Sequence, residues 1–217
     1  MKIKAQHDRK GCFKIMFYIE ICGGIASGKT TFSILLERLK INAILENFEA
    51  NPFWEVFYSN PAQYAFETEI TFLLQHYHQI KRSLHLKSNC VCDFSLLLDL
   101  AYADVTLEGS KKESFLSIHS EIIKELPTPD LIIYLVCKPE TELERIHKRG
   151  RSTESKITIE FLESLSIALG KRVSEIHEKT NILTIDSNKF DFANNENVQK
   201  EIIKLVQNSI PNFIKKL

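Results

Sequence analysis

The stretch "GGIASGKTT", residues 23–31, sets Gly23, four residues, and then Gly28, Lys29 and Thr30 in succession. An apolar run, "KIMFYIEIC" (14–22), precedes it, and "TFSILLERL" (31–39), with helical spacing, follows. Strand, glycine-rich loop and helix in that order form the context in which such a loop binds phosphates. The glycines let backbone N–H groups converge on a phosphate at a helix start, where the dipole already favours anions. Lys29 is placed to reach the β- and γ-phosphates of a nucleoside triphosphate, and Thr30 to set its hydroxyl on Mg²⁺. Gly23, Gly24, Ala26, Ser27, Gly28, Lys29, Thr30 and Thr31 are therefore the candidate ATP site. The competing explanation, a chance glycine-rich turn before a helix, leaves the intact Gly-Lys-Thr and both flanks unaccounted for.

A chain of 217 residues is long enough for one α/β domain with a real core. Lys plus Arg equals Asp plus Glu, 28 against 28, so the net charge is zero. That excludes a generalised nucleic-acid-binding surface and permits a local basic pocket. No run approaches the ~18 uninterrupted apolar residues of a membrane span, and "MKIKAQHDRKGCFKIM" lacks the apolar stretch of a secretory signal. Met16 can serve as the natural start, with 1–15 a disordered extension. Cys12, Cys22, Cys90, Cys92 and Cys137 are odd in number, and all but Cys12 sit in or beside strand-like runs. Such cysteines read as small buried hydrophobes in a reducing cytoplasm. Cys90 and Cys92 lack a second Cys/His pair at metal-ligand spacing and read as strand.

Apolar runs at 16–22, 42–46, 89–93, 131–136 and 181–186 alternate with amphipathic stretches around 31–40, 62–82, 95–107, 113–126, 139–149, 158–178 and 196–208. Alternating β and α with nearly continuous apolar strands predicts a five-stranded parallel sheet covered by helices on both faces, an α/β fold of P-loop NTPase type. "DSNKFDFANNEN" (186–197) reads as a polar loop, and no repeat or linker divides residues 1–217.

In parallel α/β folds a ligand sits beyond the carboxyl ends of the strands. The second and third strand candidates end at Glu46 and Asp93. One carboxylate is placed to take a proton from an attacking hydroxyl while the other organises Mg²⁺ and its waters. The alternative for each is an acid capping the next helix. Further along, Arg145 and Arg149 are four apart on a helix and share a face, and Gly150 then breaks the helix and re-aims Arg151. Three guanidinium groups spread over a phosphoryl group, whose charge lies on three oxygens, speed its transfer. A solvated basic helix end is the alternative.

The segment "ENFEANPFWEVFYSNPAQYAFETEITFLLQHYHQI" (46–80), with "RIHKRGRSTE" (145–154), resembles the deoxynucleoside kinase family, in particular its bacterial deoxyadenosine/deoxyguanosine kinase branch. A strand-end Glu, Asn-Pro-Phe, Phe-Tyr, Pro, Ala-Phe and a Phe-Leu helix stand in the family's order. The likeness runs from the P-loop to about residue 154, and weakly through "IDSNKFDF" (185–192). It implies that Glu46 is the base for a 5′-hydroxyl, and that Tyr58 and Glu154 bind the 3′-hydroxyl, Tyr58 also crowding a 2′-hydroxyl. It makes Arg145, Arg149 and Arg151 a lid near 145–155, Asp93 the acid of an Asp/Glu-Arg-Ser motif, and Asp99 an acid facing the base. It also implies ATP as donor, Mg²⁺ held through Thr30 and Asp93, a deoxynucleoside as acceptor, an adenylate-kinase-like three-layer architecture and a homodimer.

Three positions depart from the family pattern. Phe94 stands where the motif Arg is common, Glu69 where most members carry a base-reading Gln, and His76 where they carry an Arg. The lost motif Arg predicts a slower reaction or compensation by the lid arginines. On 62–82 the inward stripe is Phe66, Glu69/Ile70, Leu73, His76/Tyr77 and Ile80. Either Glu69 and His76 form a structural ion pair, or the helix is rotated to solvate both, or Glu69 meets a base edge. An ionised Glu only accepts hydrogen bonds, which suits guanine's adjacent N1–H and N2–H₂, with His76 free to reach O6. Deoxyguanosine is thus expected ahead of deoxyadenosine. A nucleoside monophosphate kinase would need cations for the acceptor's phosphate, and 62–82 offers only Lys81 and Arg82 near its end. A non-catalytic nucleotide-binding module would leave Glu46 and the lid arginines without a task.

Overall fold

Strand side chains alternate between faces, so Phe17, Ile19 and Ile21 point one way and Tyr18, Glu20 and Cys22 the other, and all six are buried. A strand buried on both faces belongs inside a parallel sheet, and β1 (Tyr18–Gly23) occupies the middle. The computed structural model describes residues 17–86 and 88–210. Its five strands run parallel in the order β2-β3-β1-β4-β5, with β2 at Asn42–Ile44, β3 at Cys90–Cys92, β4 at Leu131–Val136 and β5 at Ile182–Asp186. All five expected strands are present. The register sets Ile19 beside Val91 on one side and Leu131 on the other.

Helices cover both faces. Over the odd-numbered face, Phe32 and Leu36 of α1 (Lys29–Leu36) and Ile202 and Val206 of α8 (Glu196–Ser209) pack on Ile19, Ile21 and Ile133. The other face carries α3 (Pro61–His85), α4 (Leu96–Thr106), α5 (Gly109–Glu125), α6 (Pro139–Arg149) and α7 (Ile159–Ile176), with the short α2 (Trp54–Phe57) leading into α3. Ser95 and Thr158 cap α4 and α7 by accepting the N–H groups of Leu98 and Phe161. Helix α5 begins four residues before the expected 113, because its polar first turn, "GSKK", carries no apolar periodicity. Helix α1 stops at Leu36 and tightens into a 3₁₀ turn, Glu37–Leu39.

Two features inside the core were not expected. The loop 186–197 is not wholly polar, since Phe192 is buried and meets the Phe32 ring edge-on at 5.2 Å. Glu20, within the apolar run of β1, takes a hydrogen bond from the Tyr18 hydroxyl, and burial pushes its carboxyl up to about 7. Cys22, Cys90, Cys92 and Cys137 are free and buried. Cys12, the 1–15 extension and the Met16 start lie outside the described residues. Among the described residues no helix is long and apolar enough to cross a membrane.

Candidate active site

From β1 the chain runs on to β2 on one side, and from its neighbour β4 to β5 on the other, so the connections diverge at the carboxyl ends and open a crevice there. A cavity of about 480 Å³ lies in that crevice, a size that suits a small ligand. It is lined by Lys29, Thr30, Glu46, Tyr58, Glu69, Asp93, Asp99, Arg145, Arg149, Arg151 and Glu154, together with Ala26, Gly28 and Thr31 of the glycine-rich loop. Residues from distant parts of the sequence thus meet in one place.

The loop owes its shape to its small residues. Gly28 sits at φ +103° ahead of α1, and a Cβ there would lie 2.8 Å from the Phe192 ring. The Lys29 ammonium donates to the carbonyls of Gly23 and Gly24 at 3.0 and 2.9 Å. The Thr30 hydroxyl donates to Asp93 Oδ2 at 2.7 Å, while Asp93 Oδ1 accepts the Glu46 N–H at 2.5 Å. Burial raises the Asp93 pKa, and the bonds from Thr30 and Glu46 oppose that rise. Thr30 and Asp93 offer hard oxygen ligands at the mouth of a phosphate loop. Mg²⁺ is usually held by one or two carboxylates plus substrate phosphates. No cluster of three potential His, Cys, Asp or Glu ligands exists among the described residues, so the donor set fits Mg²⁺ better than a metal caged by protein alone.

His76 corrects the expectation most directly. It does not line the cavity, and it is buried between rings, 4.1 Å from Phe94 at 9° and 5.8 Å from Phe72 at 25°. Its Nδ1–H donates to Asp99 at 2.9 and 3.0 Å, and its Nε2–H donates to Glu46 Oε1 at 3.1 Å. Both ring nitrogens face carboxylates, so the ring is an imidazolium with nothing left for a base's O6. Burial alone would lower its pKa, but Asp99 and Glu46 reverse that and bring it to about 10. Glu46 gains in return. Burial would raise its carboxyl, but His76, and beyond it Lys29 and Arg151, bring it below the ordinary value. The departure at Phe94 acquires a reason: it supplies the flat apolar platform for the cation beside Glu46, which comes from α3 instead of the motif.

Asp99 lines the cavity, but its carboxylate is committed to His76. Glu69 is buried and aims at Thr106 Oγ1, 3.2 Å away. Neither the Glu69–His76 ion pair nor the solvated orientation is found. Burial, and then the charge of Asp99, pushes the Glu69 carboxyl up to about 8. The acceptor-only picture of this residue therefore holds on the alkaline side alone.

The three arginines divide their work. Arg145 donates to the carbonyls of Ala26 at 3.3 Å and Ser187 at 2.9 Å, tethering α6 to the glycine-rich loop. Gly150, at φ +69°, ends α6 and turns the chain as expected. Arg149 and Arg151 then converge on Glu154, at 2.5 and 3.2 Å, with the Arg151 guanidinium 4.2 Å over the Phe48 ring. Both Glu154 oxygens thus hold an arginine, and a carboxylate retains lone pairs for a further donor. Burial keeps the Tyr58 phenol neutral, its pKa well above the usual value, with Glu154 and Glu69 acting in the same direction.

Several residues in or beside the cavity were not singled out from the sequence, Tyr102 in its lining and Glu142 and Thr106 behind it. Glu142 on α6 is buried against the glycine-rich loop, and a Cβ at Gly24 would lie 2.2 Å from its Oε1. Its carboxyl is pushed up to about 8 by burial, against the pull of Lys29 and Arg145. The only sequence signal was its spacing of four from the buried Ile146. Tyr102 and Thr106 continue the inward face of α4 from Asp99, at spacings of three and four, and that periodicity was legible.

Comparison with known proteins gives the chain a family. A family model described as "Deoxynucleoside kinase" matches residues 19–211. Deoxyguanosine kinase of Bacillus subtilis is 31% identical over 191 residues, covering 82% of this chain and 90% of that protein. Deoxyadenosine kinase of Lactobacillus acidophilus is 30% identical over 207 residues, covering 88% and 95%. Among solved structures, deoxyadenosine kinase from M. mycoides with products dCMP and a flexible dCDP superposes with a TM-score of 0.78 at 26% identity, covering 89% of this chain and all of the other. The phosphate loop, the carboxylate cluster and the arginine-bearing turn thus sit in a chain that belongs to the deoxynucleoside kinase family.

Proposed function

We propose that this kinase transfers the γ-phosphoryl group of ATP to the 5′-hydroxyl of a purine deoxynucleoside, with deoxyguanosine favoured. The observation that carries the reading is the chain of contacts Thr30–Asp93–Glu46–His76. Asp93 takes the Thr30 hydroxyl on one oxygen and the Glu46 N–H on the other, which fixes Glu46 relative to the phosphate loop. Glu46, kept ionised by His76, accepts the proton of the attacking 5′-hydroxyl. Lys29, Arg149 and Arg151 meet the charge on the transferred group, and Arg145 holds the lid's helix against the loop. Mg²⁺ held through Thr30 and Asp93 would neutralise phosphate charge. Tyr58 and Glu154 receive the 3′-hydroxyl, and Glu69 faces the base edge, always offering an acceptor opposite guanine N1–H.

A cytoplasmic homodimer accords with the free buried thiols and with the apolar side chains left exposed on α3 and α5, Leu74, Ile118 and Ile123. The test of function is a panel of the four deoxynucleosides and their 5′-monophosphates with ATP and Mg²⁺. Purine deoxynucleosides should yield 5′-monophosphates. ADP release dependent on monophosphates alone would overturn the reading.

His76 is a positioning residue here, acting through Glu46. His76→Gln keeps a hydrogen bond but removes the charge that holds Glu46 low. The acid limb of the kcat profile should therefore move to higher pH. An unshifted limb would confine His76 to packing.

A further inference from the structure

Thr106 has one hydroxyl proton and two acceptors within reach. Its Oγ1 lies 2.9 Å from the Tyr102 carbonyl one helical turn back and 3.2 Å from Glu69 Oε1. The shorter, intrahelical contact competes for that proton, as Thr side chains on helices commonly arrange. Thr106 thus donates to Glu69 only a shared, longer hydrogen bond, whose pull toward the carboxylate is outweighed by burial. The surroundings of Glu69 point the same way. The groups acting on Glu69 are Asp99, Tyr102 and Thr106 from α4, Glu46 after β2, Tyr58 after α2, and His76 from its own helix. Of these only His76 is a cation, and both of its N–H groups are committed to Asp99 and Glu46. A buried carboxyl among carboxylates and phenols, with no cation in contact, keeps its proton.

We infer that Glu69 selects the base through its own protonation: the neutral acid reads adenine and guanine alike, whereas the carboxylate reads guanine alone. This rests on the deoxynucleoside kinase reading of the same cavity. A neutral carboxyl is one donor and one acceptor. It can accept from adenine's N6–H₂ and donate to the neighbouring ring nitrogen, or accept from guanine N1–H and donate to O6. Once ionised, it sets two acceptors against adenine's ring-nitrogen lone pair but still meets guanine's N1–H and N2–H₂. An unpaired buried group is what penalises the wrong base. Burial and Asp99 bring the carboxyl to about 8, so the change falls within the working range of an assay.

The experiment is a competition between equimolar deoxyguanosine and deoxyadenosine in one mixture with ATP and Mg²⁺. The product ratio then reports relative kcat/KM, and pH effects on Lys29, Glu46 or the donor cancel. Raising the pH from about 6.5 to about 8.5, below the range where guanine N1 itself loses its proton, should increase the deoxyguanosine-to-deoxyadenosine product ratio about four-fold in the wild type. In Glu69→Gln, whose amide cannot ionise, the ratio should stay flat. The wild-type measurement stands even if the variant does not fold. A flat wild-type ratio with robust turnover overturns this inference alone. A rise that persists in Glu69→Gln overturns it as well, by assigning the proton to another group. No phosphorylation of either nucleoside at any pH would overturn the underlying reading with it.

Discussion

Lys29→Ala is expected to lose nearly all phosphoryl transfer while unfolding at close to the wild-type temperature. The Lys29 side chain is partly exposed and lines the cavity, and its contacts are the two loop carbonyls of Gly23 and Gly24. No core cluster includes it, so truncation removes charge without opening a void. What is lost acts in the transition state, where charge spreads over the transferred oxygens, and a single such donor is worth roughly 10²–10³ in kcat. Steady-state rates and a melting curve on the same preparation are the measurement. Wild-type turnover in a well-folded variant would remove the glycine-rich loop from the mechanism.

Glu46→Gln should lower kcat by roughly 10²-fold or more, the usual worth of a positioned general base. The amide is nearly isosteric, its carbonyl oxygen can still accept from His76 Nε2–H, and the backbone N–H that binds Asp93 is untouched. Substrate affinity should therefore change less than turnover. A variant that binds poorly yet turns over at the wild-type rate would make Glu46 a sugar-positioning group.

The parts of the molecule legible in the sequence are those governed by local rules. All five strands and the inward stripe of α3 follow from periodicity. The meeting of Glu46 and Asp93 with Lys29 and Thr30 follows from strands ending at one edge of a parallel sheet. Contacts that depend on how helices pack were not legible. His76 bonds to residues 23 and 30 positions away, on α4 and after β2, and its facing α4 rather than Glu69 is decided by the rotation of α3 against that helix. Phe192 is an apolar residue in a polar stretch, and only the space beneath Gly28 explains its burial. Glu142 resembles any acid in a first helical turn until α6 docks against Gly24.

The buried carboxyls alter the electrical character of the whole molecule. The formal charge of zero treats every Glu as ionised and every His as neutral. In the folded chain Glu69 and Glu142 still carry protons at neutral pH and His76 carries its own, so each of the three adds a positive charge. Folding therefore draws protons from the medium. For the two glutamates this happens between their ordinary value of 4.5 and about 8, and for His76 between 6.5 and about 10. In each window the native state binds more protons than the unfolded chain, so the three together make stability decline as the solution becomes more alkaline. The bound protons leave the crevice less negative than its sequence suggests, which favours the approach of a polyanionic nucleotide before any side chain touches it.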